Sequence, residues 1–422
     1  MMTMTTLGRL LIVTLVALSA IPLGFATGRA QDVPETIKIG VTSPLSGSAA
    51  QSGVGLQQGM QIAETEWNDK GGVKLGDTSV PVEFLFEDSQ QKPEVGVSAA
   101  QKLVTSDGVH LLIGDAFASS VTMAIMEMAP VFNIPILSAE PVSEEISKKV
   151  RDDPEKYALY WKGDFSSGAY ATAVHDTFTS LFDAGQVDPG TKKIAFVVED
   201  TDYGRSNSQL TSDLFAEDGW ETVANETVPL GHSDFYPQLT KINDLQPDAV
   251  VTVFTAVNSG VAFVKQYSEV GLTAAHMAIF YPTRPEFREQ AAAAAEHLIW
   301  TPLLFDPASN PEQKAFDDKV RAAFSVGATS DHAYGYDTAN TALMAIEAAG
   351  GVEPEAVSEA IGATDRQGLL GRYVFDAADH TVKAGPEFIP VPSAQIINGQ
   401  NVIIWPENVA VGQYQPQPWT QR

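Results

Sequence analysis

The 422-residue chain has no cysteine, which excludes disulfides, thiolate metal sites, iron–sulfur clusters, thiol catalysis and a cysteine-linked lipid anchor. Cationic residues are scarce: 26 Lys and Arg stand against 53 Asp and Glu, a formal net charge of −27. That excess repels phosphate backbones and anionic lipid surfaces, so no nucleic acid is expected as a partner. Beyond the N-terminus no apolar run approaches the roughly 18 residues of a membrane span, and stable membrane insertion is not expected. Catalytic signatures are missing too. There is no G-x-S-x-G elbow, no Gly-Lys pair for a phosphate loop and no H-E-x-x-H. The seven histidines are scattered without i,i+4 pairs. No catalytic, metal or cofactor site is expected.

What is present begins with an export signal. Arg9 precedes an apolar run from Leu10 to Ile21, then Pro22 and small residues ending Gly28-Arg29-Ala30. One positive residue, a short apolar core and a small-residue cleavage point make residues 1–30 a secretory signal peptide, cut after Ala30 or alternatively after Ala26.

Along the mature chain, short β-branched apolar runs alternate with stretches of helical period, the pattern of parallel sheets with crossover helices. Strands are predicted at 37–41, 80–87, 109–114, 134–138, 194–199, 249–255, 277–280 and 298–302. Helices are predicted at 56–68, 93–105, 119–131, 167–182, 206–217, 235–245, 259–270, 311–324, 334–349 and 354–361. Near-continuous apolar strands imply sheets covered on both faces. The alternation falls into two blocks, before about residue 155 and after about 190, joined by a polar bridge over 143–154. From Gly368 the composition shifts to Pro, Gly, Asn and Gln with short β runs, and 412–422 read as an extended surface tail. The triplet Gly53, Gly55 and Gly59 has the wrong spacing and place for a dinucleotide fingerprint. As a glycine- and serine-rich loop opening a helix it would still offer N–H groups to a small anion.

Ile37-Lys38-Ile39-Gly40-Val41-Thr42-Ser43-Pro44-Leu45-Ser46-Gly47, followed by Gly59-Met60-Gln61-Ile62-Ala63 and Asn68-Asp69-Lys70-Gly71-Gly72-Val73, resembles the opening of the branched-chain amino-acid (Leu/Ile/Val) type of periplasmic solute-binding protein of ABC transporters. Phe86-Glu87-Asp88-Ser89-Gln90, Ile134-Pro135-Ile136-Leu137-Ser138, Asp200-Thr201-Asp202-Tyr203-Gly204 and Gly271-Leu272 keep that family's order, and the likeness runs from about residue 36 to 376. The resemblance implies an α/β, type I periplasmic-binding fold: two Rossmann-like lobes with parallel sheets, joined by a three-crossing hinge. Lobe 1 is expected at 36–161 plus 300–367, and lobe 2 at 162–299 plus 368–411. Crossings are expected near 160–163, 299–302 and 368–373.

Carried over position by position, the resemblance places ligand contacts at Ala118 and Ser119, at Ser138 and Ala139, and at Ser52. Asp164 or Phe165 falls near the family's cleft-facing acid, and Tyr203 matches a tyrosine that covers the ligand. Two departures bear on the solute. Val142 stands where amino-acid binders carry a threonine, and no acid aligns in the second lobe to hold an ammonium group. Arg284, Arg205 or Lys162 are the residues to pair with a ligand carboxylate, with Tyr281 and Trp161 to pack on its body. The implied function is capture of an amino acid, amide or carboxylate by hinge closure and delivery to a membrane permease. The implied state is monomeric, free in the periplasm and without cofactor. The alternative is a ligand-sensing receptor module of the same fold.

Overall fold

In a computed structural model of the chain, residues 33–421 are described; the export signal expected over residues 1–30 lies outside them. Two sheets organise the chain. The first has five strands in the spatial order Val82–Asp88, Ile37–Ser43, Leu111–Ile113, Ile136–Ser138, Tyr160–Lys162, and every neighbouring pair is parallel. The second has seven, in the order Gln400–Trp405, Ser393–Ile397, Ile299–Thr301, Ala275–Phe280, Ala249–Phe254, Lys193–Glu199, Glu221–Val228. It is parallel except where the C-terminal hairpin joins Ile299–Thr301 antiparallel.

Burial on both faces explains the continuous apolar strands. Along Lys193–Glu199, Ile194, Phe196 and Val198 enter the core that continues into the first half of the molecule. Ala195 and Val197 point to the opposite face, into a separate core with Phe235, Phe254 and Trp300. The chain leaves the first sheet after Lys162, and the second sheet is interrupted between Thr301 and Ser393. In that interruption helix Ser330–Ala349 packs back on helix Ala50–Asp69 of the first half.

Two strands of these two sheets escape a periodicity reading. Tyr160–Lys162 is three residues long and ends in a buried lysine, and Glu221–Val228 is an edge strand with mostly polar, solvated positions. The polar bridge over 143–154 is helix Glu144–Asp152, which buries Ile146, Ser147 and Val150. Its charges occupy only the outer face, and Ser143 Oγ accepts the Glu145 N–H at its start. After Gly412 the chain is held against the second sheet. Gln417 is fully buried, its amide donating to the His276 carbonyl at 2.7 Å and accepting the His276 N–H at 2.8 Å.

Gly53, Gly55 and Gly59 lie inside helix Ala50–Asp69, where intrahelical bonding leaves no loop of free N–H groups for an anion. They serve contact instead. A Cβ on Gly59 would lie 2.0 Å from the His332 carbonyl oxygen, and one on Gly335 would lie 2.1 Å from that of Leu56. The two helices therefore touch backbone to backbone. Gly59→Ala is expected to destabilise the protein by about 1–3 kcal/mol through overpacking, read as a lower urea midpoint with an unchanged denaturant slope.

Candidate functional site: a cleft at the carboxyl ends of both sheets

Strands of both sheets deliver their C-terminal loops towards one cleft, the usual place for a site in open α/β sheets. Gln91 follows Val82–Asp88, Phe117 to Ser120 follow Leu111–Ile113, and Glu140 and Val142 follow Ile136–Ser138. From the second sheet come Thr201, Asp202 and Tyr203, then Thr255 and Phe280, and helix Ser167–Asp183 adds Tyr170. The space between them, open solvent included, is about 500 Å³.

Buried acids fix these loops. Asp115 Oδ1 accepts the N–H groups of Phe117 at 2.9 Å and Ala118 at 2.8 Å, turning the chain into helix Ser119–Ile125. Glu199 accepts from Gly231 N at 3.0 Å, Thr255 N at 2.6 Å and Ser259 Oγ at 2.8 Å, binding three loops of the second half together. Aromatic rings then form the walls. Phe280 faces Phe117 and Tyr203, each with centroids 6.1 Å away, and Tyr203 meets Tyr170 edge-on at 6.4 Å. Phe280 itself takes φ +76°, a conformation costly for an aromatic residue and held by its surroundings.

Beneath the walls an arginine crosses between the halves. Arg284, just beyond strand Ala275–Phe280, donates through Nη2 to Ser52 Oγ at 2.9 Å and Asp331 Oδ1 at 2.6 Å. Its Nη1 lies 2.5 Å from Asp331 Oδ2, and both side chains are 1% exposed. The guanidinium sits 4.6 Å above the Phe280 ring. Glu140, 5% exposed, lies beside this pair. Burial pushes its carboxyl well up, the Asp331 carboxylate adds to the effect, and Arg284 opposes it. Asp164 accepts from Tyr334 Oη at 2.7 Å and from Phe165 N at 2.8 Å, and burial raises it to about 7.

Of the positions carried over from the sequence, Ala118, Ser119 and Tyr203 line the cleft. Ser119 Oγ also accepts the Ser143 N–H at 3.2 Å. Ser52 reaches the site through Arg284. Phe165 stands behind Tyr170, with centroids 5.0 Å apart. Ser138 and Ala139 are fully buried below the lining, Ser138 Oγ bonding Tyr160 Oη at 2.9 Å. Tyr281 lies in the core of the second half, its hydroxyl 2.9 Å from Thr252 Oγ1 and its ring against Phe254 and Phe287. Lys162 is buried on Ser166 Oγ and the Phe165 carbonyl, Trp161 stacks on His380, and Arg205 pairs with Asp202 and Asp200 at the surface. Sequence reasoning missed Glu140, Tyr170, Phe117 and Asp331. Glu140 was within reach, since it directly follows Ser138-Ala139, but it lies in the first half, where no acid was sought.

The family profile described as "Periplasmic binding protein" matches residues 36–389. The chain belongs to the periplasmic binding protein family. This binding protein is 25% identical over 349 residues to Leu/Ile/Val-binding protein homolog 6 of Brucella suis, covering 80% of this chain and 82% of that one. Its fold matches the leucine-binding protein of Thermotoga maritima with TM-score 0.71 at 23% identity, over 87% of this chain and 97% of that one. It matches an R. palustris ABC transporter solute-binding protein in complex with benzoate with TM-score 0.74 at 21% identity, over 87% and 95%. The fold is that of the type I periplasmic-binding proteins, and the chain is a binding protein, not an enzyme. Among the described residues no helix is long and apolar enough to cross a membrane.

Two outcomes follow from the buried charges. Arg284→Met leaves Asp331 buried without its cation and is expected to cost about 3–5 kcal/mol in urea denaturation, with partial recovery in the Arg284→Met/Asp331→Asn pair. Asp164 holds its proton in the folded protein up to about 7 but loses it near 3.8 when unfolded. Its contribution is therefore full below the lower value and is lost as pH rises through the upper one. The melting temperature of Asp164→Asn is expected to fall less than that of the parent across this window.

Proposed function

We propose that this protein is the periplasmic solute-binding component of an ABC importer. It captures a small organic solute, an amino acid, amide or carboxylate, by closing its two halves over it. It then presents the solute to a membrane permease as a free monomer. The observation that carries this reading is a set of buried polar atoms with no partner among the described residues, Tyr203 Oη and Glu140 Oε2 on residues that line the cleft, and Asp164 Oδ2 and Arg284 Nη1 behind its walls, the last in ionic contact with Asp331 but without an aligned hydrogen bond.

Each buried polar atom left unpaired costs about 1–3 kcal/mol. Closure on an empty cleft therefore carries a penalty that a ligand with matching donors and acceptors removes. Selective stabilisation of the closed form by ligand is the energetic content of hinge capture. The walls of Phe117, Tyr170, Tyr203 and Phe280 suit a branched apolar or planar body. The names of the relatives, a Leu/Ile/Val-binding homologue and a benzoate complex, support the same range of solutes. The contact residues in this reading are Ala118, Ser119 and Tyr203 directly, with Ser52 and Phe165 behind them.

Isothermal titration of the mature protein with leucine, isoleucine, valine, benzoate, 4-hydroxybenzoate and small amides tests the proposal. One of these classes is expected to bind with negative ΔCp, and Tyr203→Ala to weaken it by about tenfold or more through lost packing and hydrogen bonding. Absence of heat and of thermal stabilisation across the whole panel would refute it.

A further inference from the structure

The Arg284 bridge is a partition. Its residues touch the cleft on one side, through Phe280 under the guanidinium and Glu140 beside Asp331. On the other side their chain neighbours line a second, larger groove: Gln51 beside Ser52, Thr283 and Pro285 beside Arg284, Ser330 and His332 beside Asp331. This groove runs along the chain passage after Thr301 and holds about 2120 Å³ of empty space, open solvent included. Both halves of the molecule contribute to it.

Five of its lining side chains each hold a buried polar atom without a partner among the described residues: Thr283 Oγ1, Glu286 Oε2, Trp300 Nε1, Ser330 Oγ and Asn401 Oδ1. Trp300 is 0% and Ser330 5% exposed. Arg288, half-buried in the same groove, has no acid within ion-pair distance among the described residues. Buried polar groups in native proteins are paired as a rule, so five orphans around one groove are a concentration that needs an external partner. Their chemistry is mixed. The indole N–H only donates, Glu286 Oε2 and Asn401 Oδ1 accept, and the two hydroxyls do either. The charged lining is acid-rich, with Glu286, Glu289, Asp306 and Asp317 against Arg288 and Arg321, the last already paired to Asp317. An anion is repelled there.

We infer that this groove is a second solute site, separate from the main cleft, that takes a neutral polyhydroxylated molecule of sugar or polyol type. Each hydroxyl of such a ligand donates and accepts at once and so matches a lining of mixed orphans without adding charge, while Leu303, Leu304 and Phe305 offer a surface to its C–H face. Ligand bound there contacts the residues on either side of Arg284 and Asp331, which places it against the partition of the main cleft.

D-xylose is the probe, titrated into the mature protein by calorimetry and by NMR of the Trp300 indole N–H. Saturable binding is expected with a shift of that resonance. Thr283→Val and Asn401→Ala are each expected to weaken it by about fivefold to tenfold, the loss of one hydrogen bond, and Trp300→Phe likewise. Thermal melts confirm that each variant is folded, and the two partly exposed positions keep the test open if Trp300→Phe is not. Tyr203→Ala, in the main cleft, is expected to leave xylose binding unchanged. No saturable binding, loss of binding in Tyr203→Ala, or binding of spermidine or inorganic phosphate in place of xylose would each overturn the assignment.

Discussion

The contact between Arg284 and Asp331 decides how the two halves of this protein sit. A guanidinium from the second sheet and a carboxylate from a helix of the first half are both removed from water, and Ser52 takes a further N–H. Neither charge is tolerable alone in that place, so the pair defines one arrangement of the halves rather than adding much net stability to it. Glu140 sits within its field, and Phe280 lies under its planar face. The polar character of the cleft is inherited from this contact.

The remaining geometry comes from acids turned inwards. Asp115 and Glu199 spend their oxygens on loop N–H groups, so the segments that carry Ala118, Ser119 and Thr255 are held by side chain rather than by sheet. Burial raises Asp115 to about 6 and raises Glu199 as well, opposed by those same hydrogen bonds. A binding surface assembled from loops is thereby made nearly as firm as the strands beneath it, which is the condition for recognising a small solute with few contacts.

Much of the fold was legible because buried parallel strands leave an unmistakable trace. The run Ala249–Phe254 is buried at every position and reads so in the sequence. Glu221–Val228 was lost because an edge strand with one solvated face carries little apolar signal, and Glu144–Asp152 was lost because its charges mask three buried positions. The site was half legible. Ala118, Ser119 and Tyr203 follow strands and carry a family pattern, whereas Tyr281 belongs to the core because its hydroxyl finds Thr252. The pairing of Arg284 with Asp331 spans 47 residues of chain and two halves of the fold, and no local pattern announces it.

The glycine-mediated meeting of helices Ala50–Asp69 and Ser330–Ala349 bears on how the chain is made. His332 and Gln58, bonded across that seam, are 274 residues apart. The first sheet emerges from the ribosome early, yet the helix that covers one side of it arrives only after five of the seven strands of the second sheet have been synthesised. Until then the Gly55–Gly59 face lies bare and the first half has no complete core. Such high sequence separation makes folding slow and late, and a chain that stays unfolded through most of its synthesis is a chain that can still be threaded through a narrow pore.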